Sequence, residues 1–136
     1  MVGVVTTRRK WKRMASGKAI GEFSFKAVTV TYSPGPAGSV LAHANWEGTA
    51  TGFGAVFATA TYVGGPKGGS YSECGVAYLD NGDSVTGIGQ GTTESSGKHQ
   101  WRTKGFMQIS DGRRIASEGE INLASRSWKG TLFEMS

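Results

Sequence analysis

A glycine stands near the middle of almost every strand-type segment of this chain, and the segments follow one another as hairpins. Eight runs rich in Val, Thr, Ala and aromatic residues lie between Gly21 and Met135, each closed by a turn signal. Such side chains suit a pleated, half-buried surface, and the Gly, Asn, Asp and Ser clusters between them stop each run. The first run is Gly21–Tyr32. Its apolar phase, set by Phe23 and Phe25, shifts to Val28, Val30 and Tyr32, the mark of a β-bulge. Val40–Thr51, Ala55–Val63, Ser70–Leu79, Ser84–Glu94, Gln100–Ser110, Arg113–Ala124 and Ser127–Met135 follow. No segment has a strong amphipathic helical period. An open meander of eight twisted strands leaves two exposed edges, and closure removes them. The expected fold is all-β: a single eight-stranded antiparallel up-and-down barrel over residues 19–136, preceded by a short basic N-terminal arm, residues 1–18. A barrel of about eight strands has room for one small ligand when its interior side chains are small.

Three turns predict register. Asn81-Gly82 within Asp80–Asp83 favours a two-residue type I′ hairpin, since both residues tolerate positive φ. That turn pairs Tyr78 with Val85, Val76 with Gly87 and Cys74 with Gly89, and puts Glu73, Gly75 and Ala77 on the other face. Ser110-Asp111-Gly112 reads as a three-residue loop with glycine at the left-handed position. It pairs Trp101 with Ile121, Thr103 with Gly119, Gly105 with Ser117 and Met107 with Ile115. A two-residue turn at Ser125-Arg126 pairs Leu123 with Trp128, Ile121 with Gly130 and Gly119 with Leu132. These registers place Lys104–Glu118 and Arg102–Glu120 on the opposite face, with Lys129 nearby. Facing charges of that kind are a common stabiliser of a solvent face.

Charge is segregated along the chain. The net charge is +5, and residues 1–18 hold Arg8, Arg9, Lys10, Lys12, Arg13 and Lys18 with no acid, leaving nine basic and ten acidic residues in the rest. The barrel is therefore close to neutral. The arm, with Trp11 inside it, suits either an anionic partner such as RNA or a strap over one barrel end. The single cysteine, Cys74, excludes an internal disulfide and a cysteine-rich metal cage. No apolar run approaches the roughly 20 residues that span a bilayer as a helix. No apolar stretch follows the N-terminal arginines as a secretory signal requires, so a cytoplasmic location is expected.

The candidate site residues follow from the faces. Trp46, Cys74, Tyr78, Trp101, Met107 and Trp128 fall on apolar or small faces and are the expected lining of an apolar, aromatic-lined cavity. The competing role for the aromatics, and for Cys74, is ordinary core packing. Glycines 87, 89 and 91 on one face, and Gly48, Gly75, Gly105, Gly119 and Gly130 in other strands, either open space for a ligand or make way for bulky neighbours. Glu73, Glu47 and His43 are the acid–base candidates if their faces point inward; Ala42, Ala44 and Trp46 make the other face of their strand the more core-like for His43 and Glu47. Two histidines and one cysteine at these spacings carry no metal signature, and no phosphate-binding loop or nucleophile elbow is present. No cofactor is expected.

Length, the hairpin meander and the glycine pattern, with Trp101-x-x-x-Gly105 and Asp111-Gly112…Gly119-x-Ile121…Trp128-x-Gly130, resemble the allene-oxide-cyclase-type barrels of the calycin-like group, especially short uncharacterised bacterial proteins of that fold. The resemblance covers residues 21–135. It implies a shaped apolar cavity that constrains a reactive substrate, and a small oligomer. No catalytic residue of the plant cyclases aligns onto this chain. The leading expectation is a small-molecule-binding barrel, with cofactor-independent cyclase or isomerase activity as its enzymatic form. Its alternatives are an RNA-binding module using the basic arm and a structural homo-oligomeric barrel.

Overall fold

A computed structural model describes residues 17–65 and 67–135. Eight strands form one closed antiparallel barrel in sequence order, as the hairpin train predicts. They are β1 (Ala19–Pro34), β2 (Val40–Ala50), β3 (Gly54–Gly65), β4 (Gly68–Tyr78), β5 (Ser84–Gly97), β6 (Gln100–Ile109), β7 (Arg114–Asn122) and β8 (Ser127–Glu134), with one 3-10 turn at Pro36–Gly38. Strand β1 is the hinge of closure. Its first half pairs with β8 and most of its length with β2, and the bulge falls at Val28, between the pairs Ala27–Trp46 and Thr29–Asn45. Phe23, Phe25 and Ala27 thus face inward before the bulge, and Val30 and Tyr32 face inward after it, opposite Ala44 and Ala42. Among the described residues no helix is long and apolar enough to cross a membrane, which says nothing of a β-barrel. Of the basic arm, only Gly17 and Lys18 lie within the described residues; Lys18 accepts a hydrogen bond from the Glu134 N–H at 2.8 Å.

The β6–β7 register is the expected one, pairing Thr103 with Gly119 and Met107 with Ile115. The β4–β5 register differs by one residue. Tyr78 pairs with Ser84, Cys74 with Ile88 and Glu73 with Gly89. Asp80 has joined the turn. The Leu79 N–H donates to Asp83 O at 2.8 Å, and the Asn81 side-chain carbonyl accepts from the Asp83 N–H at 2.9 Å. Only Gly82 then takes a positive φ, +94°. The β6–β7 turn has the same build, with the Ile109 N–H on Arg113 O, Asp111 on the Arg113 N–H and Gly112 at φ +101°. An acceptor side chain at the middle loop position thus favours three residues over two. Because side chains alternate, this slip inverts β4: Tyr71, Glu73, Gly75 and Ala77 face inward, and Cys74 and Tyr78 face outward.

The β7–β8 turn differs by two residues. Asn122 pairs with Ser127, Ile121 with Trp128 and Gly119 with Gly130, so four residues, Leu123–Arg126, form the loop. Asn122 Oδ1 accepts from the Ala124 N–H at 2.9 Å, and Arg126 takes φ +52°. A slip of two keeps every face. Lys129 now sits opposite Glu120, which is opposite Arg102, and this charged row lies outside.

The barrel's waist is aromatic. Trp128, 2% exposed, has its ring centroid 5.4 Å from Trp46, 5.4 Å from Tyr71, 5.8 Å from Phe23 and 6.2 Å from Tyr62. Most of these meet edge-on, as ring quadrupoles prefer. Its indole N–H donates to Thr103 Oγ1 at 3.0 Å, which satisfies two buried polar groups at once. The strand glycines serve this packing. A Cβ on Gly119 or Gly130 would sit 2.8 Å from the Phe23 ring, one on Gly91 2.6 Å from the Tyr71 ring, and one on Gly105 against the Tyr71 hydroxyl. Gly87 and Gly89 likewise make way for Met107. At these positions glycine admits a bulky neighbour and leaves no ligand space.

Candidate functional site

The aromatic waist leaves space at both ends of the barrel, and the two spaces differ in size and chemistry. At the end formed by the β1–β2, β3–β4 and β7–β8 loops lies a vestibule of about 630 Å³. The volume falls within the range of roughly 300–1,000 Å³ usual for small-molecule pockets. Trp46, Tyr62 and Trp101 line its depth; Val28, Val30, Tyr32, Val40 and Leu123 line its walls and rim. These five are large apolar side chains in contact with solvent, Tyr32 at 70% exposure and Val28 and Val40 at 57%. Val30 and Tyr32 are on the inner face of β1, so their exposure is to the vestibule itself. The small residues beside them on β2, Ala42 and Ala44, leave that space open. The Trp46 indole N–H donates to the Tyr62 hydroxyl at 3.2 Å, fixing both rings. Among the described residues one charged side chain lines the vestibule, Arg126.

At the other end lies a chamber of about 80 Å³, room for a few waters. Phe53, Ala50, Val85, Ile109 and Leu132 enclose it, with Met107 and Trp128 on its walls. Arg113 fastens that end: its guanidinium lies 4.0 Å above the Phe53 ring, donates to Gly52 O at 3.1 Å and pairs with Asp111 at 2.8 Å. Asp111 is held below its ordinary pKa by hydrogen bonds from Arg113.

The chamber has one acidic side chain in its lining, Glu73. It is 9% exposed, and no hydrogen bond or ion pair to it is made among the described residues. Burial among apolar neighbours disfavours its charge and pushes its pKa up to about 7. Tyr71, two residues earlier on the same face, and Tyr62, opposite Tyr71 on β3, form its phenolic surroundings. Burial and then the nearby Glu73 charge raise the Tyr71 pKa; burial is also the main cause for Tyr62, opposed by the Trp46 hydrogen bond. The Tyr71 hydroxyl is buried without a hydrogen bond of good geometry, its approach to Ser117 being too loose to count as one. Because burial pushes both phenols further from ionisation, Glu73 is the group of this cluster able to take or give a proton near neutral pH.

The sequence-derived candidates therefore separate into three places. Trp46 and Trp101 line the vestibule; Met107, Trp128 and Glu73 line the small chamber. Cys74 and Tyr78 are outside, Cys74 as an exposed free thiol and Tyr78 against the Phe57 ring at 6.0 Å, because the Asp80–Gly82 turn inverts their strand. His43 and Glu47 are on the outer face of β2. His43 hydrogen-bonds with Ser33 Oγ at 2.8 Å and Thr61 Oγ1 at 3.0 Å, and Glu47 stands opposite Lys26. Neither meets Glu73. Sequence reading missed Tyr62, Tyr71, Arg126 and the apolar wall of Val28, Val30, Tyr32, Val40 and Leu123. The phase shift in β1 was the available signal for Val30 and Tyr32. Among the described residues no group of three or more metal-ligating side chains gathers. No protein-family model, curated protein or solved structure matches this chain in comparison with known proteins.

Proposed function

We propose that this barrel binds a small apolar or aromatic molecule in its vestibule. The observation that carries the reading is the wall of solvent-facing apolar side chains turned into a space of about 630 Å³ inside a closed barrel. Inward-facing Val30 and Tyr32 at 44% and 70% exposure are unfavourable unless something apolar covers them. The resemblance to allene-oxide-cyclase-type barrels favours the same function. The test is titration with the neutral dye N-phenyl-1-naphthylamine, read by its fluorescence and by quenching of the tryptophans. Saturable one-to-one binding is expected, and Ala42→Trp, which fills the vestibule between Tyr32 and Tyr62, abolishes it while near-ultraviolet circular dichroism shows the fold retained. Equal binding by the folded variant rejects the vestibule as the site.

The position of Glu73 favours an enzymatic form of this reading, in which a bound carbonyl compound is isomerised without a cofactor. The Glu73 carboxylate takes a proton from the carbon beside the carbonyl and returns it to another carbon of the resulting enolate, so no co-reactant is needed. The packed rings of Trp46, Tyr62, Tyr71 and Trp128 separate the vestibule from the small chamber, so this form of the reading requires them to part for the reacting end of the substrate. A survey of enolisable cyclic ketones in deuterium oxide tests this. Exchange above background in the wild type, rising as pH passes about 7 and absent in Glu73→Gln, supports it. Identical exchange by both proteins refutes it.

A further inference from the structure

We infer that the vestibule selects ligands carrying one anionic group beside their apolar body, and that Arg126 is the residue that recognises it. This rests on the vestibule being a binding site, as proposed above. The described lining is otherwise made of aliphatic, aromatic, glycine and threonine residues, so among the described residues Arg126 is its sole formal charge. No described carboxylate pairs with the guanidinium, and no side-chain hydrogen bond of Arg126 is made among the described residues. Glu120 and Glu118, the acids of the neighbouring strand, face outward opposite Lys129 and Thr131. A guanidinium presents a rigid fork of donors that fits carboxylate, sulfonate or phosphate oxygens.

The backbone holds this residue in place. Arg126 has φ +52°, a left-handed conformation uncommon for residues other than glycine. Its carbonyl accepts from the Ala27 N–H at 2.9 Å, and its N–H donates to Leu123 O at 3.2 Å. Ala27 and Leu123 both line the vestibule, so the Arg126 backbone is bonded to the wall on two sides. The three non-glycine residues with positive φ among the described residues, Ala37, His99 and Arg126, all lie in loops at this end of the barrel. At the opposite end the corresponding turn positions are Gly52, Gly54, Gly82 and Gly112. Ala37 and His99 share this conformation without lining the vestibule, so the placement of Arg126 rests on its two backbone hydrogen bonds to the wall. The mouth is thus an apolar rim of Val28, Val40 and Leu123 with, among the described residues, one lining cation on an anchored backbone, complementary to an amphipathic monoanion with a flat apolar body.

Two probes with the same ring system separate this inference from the one it rests on. N-phenyl-1-naphthylamine is neutral, and 8-anilino-1-naphthalenesulfonate is the same molecule with a sulfonate. Arg126→Gln is expected to weaken the sulfonate by about tenfold and the neutral probe by less than twofold, and Arg126→Lys to lie between. Added salt should weaken the sulfonate in the wild type and leave the neutral probe unchanged. If both probes bind the wild type and Arg126→Gln affects them equally, anion recognition by Arg126 is overturned while the binding site stands. If neither probe binds, both readings fall. Sulfonate binding that survives in Ala42→Trp would place the anion outside the vestibule and overturn the inference.

Discussion

Glu73 makes the stability of this barrel depend on pH in a direction opposite to that of a salt-bridged carboxylate, and replacing it with glutamine should remove that dependence. Burial raises its pKa from 4.5 to about 7 on folding. Between those values the native state holds a proton that the unfolded chain has released. Stability due to this group is therefore greatest below 4.5, falls through the interval and levels off above about 7. At about 1.36 kcal/mol per pH unit, that interval corresponds to a loss of about 3 kcal/mol. Glu73→Gln keeps the shape of the protonated acid and cannot ionise. Its advantage over the wild type should be below about 1 kcal/mol at pH 5 and about 3 kcal/mol at pH 8, the latter worth roughly 10 °C in melting temperature. Urea unfolding followed by tryptophan fluorescence at a series of pH values gives the difference directly. All other side chains are common to both proteins, and their contributions cancel in the subtraction. A difference that stays constant from pH 5 to pH 8 would refute the claim that Glu73 is an uncompensated buried acid.

Three further substitutions and one reaction probe the waist and the inverted strand. Thr103→Val removes the acceptor of the Trp128 indole N–H at nearly constant volume and should cost about 1–3 kcal/mol in urea unfolding, since a buried donor is left unpaired. Gly105→Ala places a methyl group against the Tyr71 hydroxyl and should cost about 1–3 kcal/mol; Tyr71→Phe, which removes a hydroxyl that has no good partner, should be near neutral alone and recover part of that loss in combination. Cys74 should react with Ellman's reagent in the native protein at a rate within a few-fold of the urea-unfolded chain, whereas protection by orders of magnitude would restore it to the barrel interior.

The architecture was legible because β-hairpins write themselves locally. Alternating Val, Thr and aromatic residues, punctuated by Asp111-Gly112 and similar turns, fixed the number, order and approximate ends of the strands and the need for closure. The faces of β6 and β7 followed from one correctly read turn. What local sequence did not decide was loop length. Asn81-Gly82 fits a two-residue turn, yet the Asn81 carbonyl caps the Asp83 N–H and draws Asp80 into the loop, which turns Cys74 and Tyr78 outward and Glu73 inward. Glycine was ambiguous for a related reason. A missing side chain means either space or a neighbour, and only the three-dimensional arrangement shows Phe23, Tyr71 and Met107 taking that space. The vestibule wall depends on the bulge at Val28, a backbone event that the phase shift announced without fixing which residue it displaced.

The central claim, that the vestibule is a ligand site, is tested most directly by a crystal structure of the protein soaked with N-phenyl-1-naphthylamine. The account predicts the naphthalene ring between Tyr32 and Trp101, above the Trp46–Tyr62 pair, at full or near-full occupancy. Dye bound instead on the outer face beside Phe57 and Ile88, both exposed there, or no ordered dye at saturating concentration, would contradict it.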